Sequence, residues 1–260
     1  METLTLTSWQ ELRQWSRAFN PEEKKFAFRG QADSRWRLKT SLARYFLDHH
    51  VEPDEWRKRE LRMYCSFRRQ LLDACPGMYG TYPALDILSL MQHHHAPTRL
   101  LDFSYDPNVA AFFALEDSRD ESAIYVVDCN GLARRRKQLR LRAYCGPTHA
   151  PVCSVFQKDD DGQYLLVGSI LQAKFPHGRL VAQRGCFFVP GSISEPIREE
   201  LVKTKVTLPR ALVNESLEQL KAEGYARDTL FPDLDRIAGQ AKRIAVYGGS
   251  DCACAQVGNG

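Results

Sequence analysis

The chain has 260 residues, of which 43% are hydrophobic and 26% are charged, and its formal net charge is +4. These values describe an ordinary soluble protein of one or two domains that can bury a sizeable core. No run of about 18 apolar residues occurs, so we expect no membrane-spanning helix. The N-terminal segment lacks the apolar block of a secretory signal, and the mild positive charge permits anionic partners without requiring nucleic acid.

Eight cysteines are scattered along the chain, and no Cys-x-x-Cys pair occurs. Without an export signal, we expect reduced thiols and a cytoplasmic location. A zinc site formed by Cys145, Cys153 and His149 would have a spacing that fits no standard template. We therefore predict no metal site.

The first predicted element is a helix that starts at a capping box at Ser8. Its apolar stripe predicts a covering helix within residues 1–24. The next segment, Lys25–Arg29, alternates as a short strand that turns its phenylalanines to one face and Arg29 to the other. Gly30 then permits a turn or the close approach of a ligand.

Residues 31–46 interleave basic side chains with aromatic and aliphatic ones. Two interpretations stay open: a surface that binds a phosphate backbone, or a lid or helix with solvated cations, which we favour. The cations are Arg35, Arg37, Lys39 and Arg44, and the apolar residues include Trp36, Leu38, Leu42 and Tyr45. A second basic run, Arg134–Arg142, would dock RNA, DNA or an acidic protein, or would form a solvated face, which is commoner.

The other elements follow from apolar periodicity and from the positions of proline and glycine. Helices are predicted over residues 54–73, 83–91, 209–224 and 229–243, and strands over residues 123–128, 164–170, 179–183, 186–189 and 203–208. This order predicts a single α+β domain over residues 25–247, with a split, mixed or antiparallel sheet flanked by helices. Residues 248–260 have no core-forming pattern and are predicted to be a disordered tail.

The middle of the chain concentrates polar groups at a predicted strand-to-helix junction. Residues 98–103 are consistent with a short buried strand, in which the charges of Arg99 and Asp102 are unusual. Asp106 and Pro107 then predict a helix start, with aspartate as the N-cap and proline at the first helical position.

Three consecutive histidines precede that strand. A zinc hydrolase is poorly supported, because the spacing His-Glu-x-x-His is absent. His93 with Arg99 and Asp102 would suit a phosphodiesterase or nuclease, with histidine as general base and arginine as phosphate clamp. In the structural alternative, Arg99 and Asp102 form a buried ion pair and His93 is a hydrogen-bonded strut.

Several motifs together resemble the FRG domain family over roughly residues 26–238. They are Phe28-Arg29-Gly30 followed by Gln31, Gln92-His93, Pro97-Thr98-Arg99-Leu100-Leu101-Asp102, Ala111-Phe112-Phe113-Ala114, Arg179 followed by Gln183-x-Gly185-x-Phe187, and Leu230-Phe231-Pro232-Asp233-Leu234. Two positions depart from the family pattern, since His95 replaces the usual glycine and Phe103 the usual tryptophan. The resemblance implies membership of this family but does not by itself imply a specific biochemical activity.

More distantly, Phe28-Arg29-Gly30 and Phe103-Ser104 resemble strands of arginine-specific ADP-ribosyltransferases, and the fold is expected to be similar. That resemblance implies that Arg29 holds the diphosphate of NAD and that Ser104 supports the nicotinamide ribose. Gln183 takes the place of the catalytic glutamate, but it carries no charge. The missing electrostatic term would have to come from Asp102, Glu116 or Glu195.

We therefore predict a cleft that binds an anion or nucleotide, with NAD as the implied cofactor and ADP-ribosyltransferase-like or NAD-cleaving chemistry. Its predicted lining consists of Arg29, Gly30, His93, Arg99, Asp102, Ser104 and Gln183. The alternatives are a non-enzymatic module that binds nucleic acid or protein through the two basic segments, and a nuclease of the His/Asp phosphodiesterase type.

Overall fold

The computed structural model describes residues 1–138 and 168–232. Within these ranges the chain forms an α+β fold, as predicted, in which helices pack against both faces of a single seven-stranded sheet. The strands are β1 (Glu2–Thr5), β2 (Phe26–Gln31), β3 (Leu101–Ser104), β4 (Ser122–Asp128), β5 (Gly168–Leu171), β6 (Gly185–Pro190) and β7 (Thr204–Leu208).

The strand order is β1-β7-β4-β2-β3-β6-β5, so the predicted site strands β2 and β3 lie at the centre of the sheet. The sheet is mixed because β1 runs parallel to β7, whereas the other neighbouring pairs of the described sheet are antiparallel. Strand β1 was not predicted. The N-terminal segment 1–24 therefore contributes an edge strand to the sheet as well as the expected covering helix.

The helices of the described ranges agree in place with most of the predicted ones. They are α1 (Trp9–Arg17), α2 (Ser41–Asp48), α3 (Trp56–Ala74), α4 (Ala84–His93), α5 (Pro107–Leu115), α6 (Cys129–Gln138), α7 (Gly178–Ala182), α8 (Val213–Ala222) and α9 (Arg227–Leu230). Local signals set several ends: Ser8 and Asp106 cap α1 and α5 through their side chains, and Gly224 follows α8 with φ of +93°.

The alternation of β2 separates two cores, as the sequence indicates. Phe26 and Phe28 turn toward α1, where the ring of Phe19 lies 5.3 and 4.9 Å from theirs. Ala27 belongs to the core on the opposite face. Arg29 shares the face of Ala27 and follows it toward the end of the strand.

The strand predicted over residues 179–183 is wrong, because this segment is the short helix α7. His177 caps its N-terminus by accepting a hydrogen bond from the Leu180 amide at 3.4 Å. Arg184, with φ of +46°, then reverses the chain into β6. Leu180 is the one buried residue of this five-residue segment. A segment this short has too few apolar positions for their spacing to distinguish a helical turn from a strand.

Some predicted features lie outside the described residues. They are the helix beyond residue 232, the tail 248–260, the end of the basic run at Arg140 and Arg142, and the zinc candidates Cys145, Cys153 and His149. Among the residues that the structure does describe, no helix is long and apolar enough to cross a membrane.

His95, which stands where the family pattern has glycine, adopts a left-handed backbone with φ of +64°. A side chain in this region costs about 1–2 kcal/mol, which glycine avoids. We expect His95→Gly to raise the free energy of unfolding by about 0.5–1 kcal/mol, measured by urea denaturation. His94→Gly is the matched control, because φ is −93° there and glycine gains nothing. A loss of stability in His95→Gly would show that the imidazole, not the backbone, matters at this position.

Candidate anion-binding site

A cavity of about 930 Å³ opens beside the ends of β2 and β3, between α5, α7, α2 and the segment 32–40 that connects β2 to α2. This is within the size range of small-molecule sites, about 300–1,000 Å³. The polar or charged residues of its lining are Arg29, Gln31, Arg35, Arg37, Lys39, Arg44, Asp48, Asp102, Ser104, Asp117, Arg179 and Gln183. Apolar contact is supplied by Trp36, Leu47, Phe103, Val109 and Phe113, among others.

The cavity is cationic. Six arginine and lysine side chains line it, against three carboxylates, those of Asp48, Asp102 and Asp117. Part of this charge is compensated locally, because Arg35 forms a fork with the carboxylate of Asp33 at 2.8 and 2.9 Å. The remaining excess of positive charge suits a ligand with more than one phosphate.

Arg29 lies at the inner end of this cavity. Its Nη1 donates a hydrogen bond to the backbone oxygen of Asp102 at 2.7 Å, across the β2–β3 pair. Burial lowers the pKa of Arg29, while the nearby Asp102 raises it and Arg44 lowers it further. Because an arginine pKa starts so high, the side chain remains a cation at neutral pH. The Nε–H is buried and makes no hydrogen bond within the described residues.

A short chain of hydrogen bonds orients the carboxylate of Asp102. Gln92 donates through Nε2 to Asp102 Oδ1 at 2.6 Å, and its Oε1 accepts from the hydroxyl of Thr98. Thr98 is itself held by the start of α2, where Ser41 exchanges hydrogen bonds with its backbone at 3.0 and 3.1 Å. Gln92 and Thr98 therefore do not line the cavity themselves but hold the side chain of Asp102, which does.

Ser104 and Gln183 meet at the far side of the cavity, where β3 pairs with β6. The Ser104 hydroxyl donates to the backbone oxygen of Gln183 at 2.7 Å and accepts from the Asp106 amide at 2.9 Å. The Gln183 side chain donates to the backbone oxygen of Leu230 at 2.9 Å. Both side chains thus fix the backbone around the cavity wall as well as facing the cavity.

Residues 24–123 match the family model described as the FRG domain. The matched segment makes up less than half of the chain. The match begins just before β2 and ends within β4, so it covers Arg29, Gln31, the basic segment 35–44 and Asp102. No curated protein and no solved structure matches the chain.

The FRG-domain match does not contain the whole cavity. Arg179 and Gln183 come from α7 and its C-terminal end, which lie beyond residue 123. The Arg179 guanidinium lies 4.4 Å from the centre of the Phe231 ring, which holds it against the wall. Strands β5, β6 and β7 also lie outside the matched range, although they belong to the same sheet.

Two predicted lining residues lie elsewhere. The side chain of Arg99 is 1% exposed and forms a bidentate ion pair with Glu60 of α3, with Nε donating to Oε1 at 2.6 Å. The alternative in which Arg99 forms a buried ion pair with Asp102 is therefore wrong, because the partner of the buried guanidinium is Glu60. The Arg99 side chain does not reach the cavity, so it cannot act there as the phosphate clamp that the sequence suggested.

His93 is at the end of α4 and does not line the cavity either. Its ring lies 4.3 Å from that of His177, centre to centre, and 5.0 Å from that of His94. Burial, followed by His93, Arg179 and His94, lowers the pKa of His177 to about 4, so His177 is neutral at pH 7. The three imidazoles form a packed cluster beside α7, and His93 is not assembled with Asp102 and Arg99 as a nuclease site would require.

Gly30 lines the cavity, but the structure gives a different reason for a glycine at this position than the turn or ligand approach that the sequence suggested. A Cβ built on Gly30 would overlap the backbone oxygen of Ala110 and lie 2.5 Å from the backbone nitrogen of Ala114, both in α5. The missing side chain therefore lets α5 pack directly on β2. Because α5 forms one wall of the cavity, this contact also sets the width of the site.

The described part of the second basic run, residues 134–138, lies on α6, and none of it lines the cavity. Several of its cations contact the protein itself: Arg134 pairs with Asp128 at 3.5 Å, and Arg136 donates to the Ser169 hydroxyl at 2.6 Å. In contrast, the cations of the first basic segment line the cavity: Arg35, Arg37, Lys39 and Arg44. The interpretation favoured from the sequence, a lid or helix with solvated cations, did not predict this location.

Three contributors to this region have no role in the site predicted from the sequence, although Gln31 and Arg179 belong to the family motifs. Gln31 and Arg179 line the cavity, and Glu60 is the partner of Arg99. Gln31 directly follows the Phe-Arg-Gly tripeptide, so its position on the Arg29 face of the strand was a usable signal. Glu60 had a weaker signal: it is an acidic residue on the apolar face of a predicted helix.

Proposed function

We propose that the cavity beside β2 and β3 binds a nucleotide that carries a diphosphate, and that NAD is its ligand. The observation that carries this proposal is the convergence of six cationic side chains on one cavity with an aromatic rim. A diphosphate neutralises several of these charges at once, and arginine binds its oxygens in a bidentate manner. Arg29 and Arg44 are the proposed diphosphate ligands, because Arg29 has a buried N–H to offer and Arg44 lies close enough to shift its pKa.

The proposed chemistry is cleavage of the bond between nicotinamide and ribose. Water adds to C1′ of the ribose, the C–N bond breaks, nicotinamide leaves with the bonding electron pair, and one proton of the water is released. Positive charge develops on the ribose in the transition state, and a fixed carboxylate stabilises that charge.

Asp102 is the proposed carboxylate. Of the three candidates from the sequence, it alone lines the cavity, since Glu116 is held by Arg227 at 2.7 and 3.1 Å and neither Glu116 nor Glu195 is part of the lining. Gln92 fixes the Asp102 side chain, which limits the reorganisation that the reaction needs. In this proposal Ser104 and Gln183 shape the ribose end of the site, and the neutral Gln183 contributes no charge.

The test combines calorimetric titration of ADP-ribose with chromatographic detection of nicotinamide released from NAD. We expect Arg29→Met to weaken ADP-ribose binding by about 10–100-fold, since a charged hydrogen bond contributes about 1.5–3 kcal/mol. Asp102→Asn should slow nicotinamide release by about 100-fold or more while leaving binding within a few-fold. Arg59→Met, an exposed substitution on α3, is the control and should change neither quantity.

The outcomes separate the two parts of the proposal. Binding of ADP-ribose that depends on Arg29, without release of nicotinamide, would retain the binding site and reject the NAD-cleaving activity. Absence of nucleotide binding, together with salt-dependent RNA binding that is lost when Arg134–Lys137 are neutralised, would instead establish the non-enzymatic module.

A further inference from the structure

Gln31 has a buried polar atom that the protein leaves without a partner. The residue is the last of β2 and is only 6% exposed, yet its side chain lines the cavity. Its Oε1 makes no hydrogen bond within the described part of the chain. Buried side-chain oxygens are nearly always hydrogen-bonded, so this amide calls for a reason outside the fold.

Arg29 shows the same feature two residues earlier. Its buried Nε–H makes no hydrogen bond within the described residues, and it lies on the same face of β2 as Gln31. Two polar groups on one strand face, both in the lining of one cavity, are thus incompletely satisfied by the protein. A bound ligand is the economical explanation, because it would supply both with partners.

The chemistry of the amide limits what that ligand is. Cations already provide the donors that phosphate oxygens need, and a phosphate at neutral pH offers few hydrogens to an acceptor. A primary amide presents both a carbonyl acceptor and an NH₂ donor, and rotation by 180° about its last bond exchanges them. It therefore matches a group that also both donates and accepts, such as a ribose hydroxyl, a carboxamide or the edge of a base.

Trp36 supports the same ligand class from the rim of the cavity. The residue is 56% exposed, whereas its backbone amide donates a hydrogen bond to the Asp33 carbonyl at 3.2 Å and its carbonyl accepts one from the Tyr125 hydroxyl at 3.1 Å. An exposed indole on a fixed backbone, between two arginines, provides a surface on which a base can stack.

We propose that Gln31 is a specificity-determining residue, which hydrogen-bonds the nucleoside part of the ligand and so distinguishes a nucleotide from inorganic diphosphate. This inference rests on the proposed nucleotide-binding function and deepens it. Arg29 and the other cations hold the phosphates, Trp36 stacks on the base, and Gln31 contacts a donor–acceptor group of the sugar or base.

The experiment measures the dissociation constants of ADP-ribose and of inorganic pyrophosphate for the parent, Gln31→Met and the control Gln10→Met. Methionine is close to glutamine in volume but forms no comparable hydrogen bond. We expect Gln31→Met to bind ADP-ribose about 3–12-fold more weakly, as one lost hydrogen bond predicts, and to bind pyrophosphate within two-fold of the parent. Gln10 is exposed on α1, so its substitution should change neither dissociation constant.

A second readout requires no ligand. Gln31→Met removes an unsatisfied buried polar group, so its melting temperature should rise by about 2–4 °C. Equal weakening of both ligands, or unchanged ADP-ribose binding, would overturn the role of Gln31 while leaving the nucleotide site intact. A fall in melting temperature would show that the amide has a structural partner. Failure of the parent protein to bind either ligand would reject the proposed function itself.

Discussion

Replacement of Gly30 by alanine is expected to destabilise the protein by about 3 kcal/mol or more, at the upper end of what overpacking costs. The new methyl group would meet the backbone of α5 at Ala110 and Ala114, not the end of a flexible side chain. A helix backbone cannot move aside locally, so relief requires α5 to shift away from β2. That shift would also separate core residues such as Phe28 and Phe112, which are each 1% exposed.

The measurement is urea denaturation of Gly30→Ala beside Gly80→Ala. Gly80 has ordinary backbone dihedrals and no atom within 4 Å of a built Cβ, so alanine there should change stability by less than about 0.5 kcal/mol. If Gly30→Ala kept the parental stability but lost ADP-ribose binding, the glycine would instead serve the close approach of a ligand, as the sequence alone indicated.

The second large effect is expected at the buried ion pair between α3 and the segment before β3. Glu60→Gln removes the carboxylate that faces the guanidinium of Arg99, and both side chains are 1% exposed. A buried charge deprived of its counter-ion costs about 3–5 kcal/mol. We expect a loss of this size in the free energy of unfolding, measured by chemical denaturation with circular dichroism detection.

A double replacement tests the physical reason for this loss. Glu60→Leu combined with Arg99→Met removes both charges together, and it should recover most of the stability, since apolar residues often replace buried pairs without cost. Glu55→Gln is the surface control, because Glu55 pairs with Lys58 and Arg59 in partly exposed bridges worth less than about 1 kcal/mol. A double variant no more stable than Glu60→Gln would mean that the pair supplies hydrogen bonds the fold needs.

Because this pair anchors α3 to the segment before β3, it affects the cavity indirectly. Arg99 lies three residues before Asp102, and Thr98 beside it holds Gln92, which orients the Asp102 carboxylate. One arginine fixes the strand in the core, and the neighbouring threonine fixes the carboxylate at the cavity.

The candidate site was partly predictable. Arg29, Gly30, Asp102, Ser104 and Gln183 do line one cavity, because the strands that carry or directly follow them are neighbours in the sheet. His93 and Arg99 do not, although they are closer to Asp102 along the chain than Arg29 is. Proximity in sequence was misleading here, since a helix end and a buried loop turn these two side chains away from β3.

What the sequence by itself determined are the features that depend on a few consecutive residues. Capping side chains and apolar periodicity located most helices and strands, and the alternation in β2 assigned Arg29 to its face. Only the tertiary structure decided which distant groups meet: Arg99 with Glu60, 39 residues earlier, and Arg29 with the backbone of Asp102, 73 residues later. Such contacts depend on strand order and helix packing, which local patterns do not encode, and the same packing gathers the cations of segment 35–44 and Arg179 around one cavity.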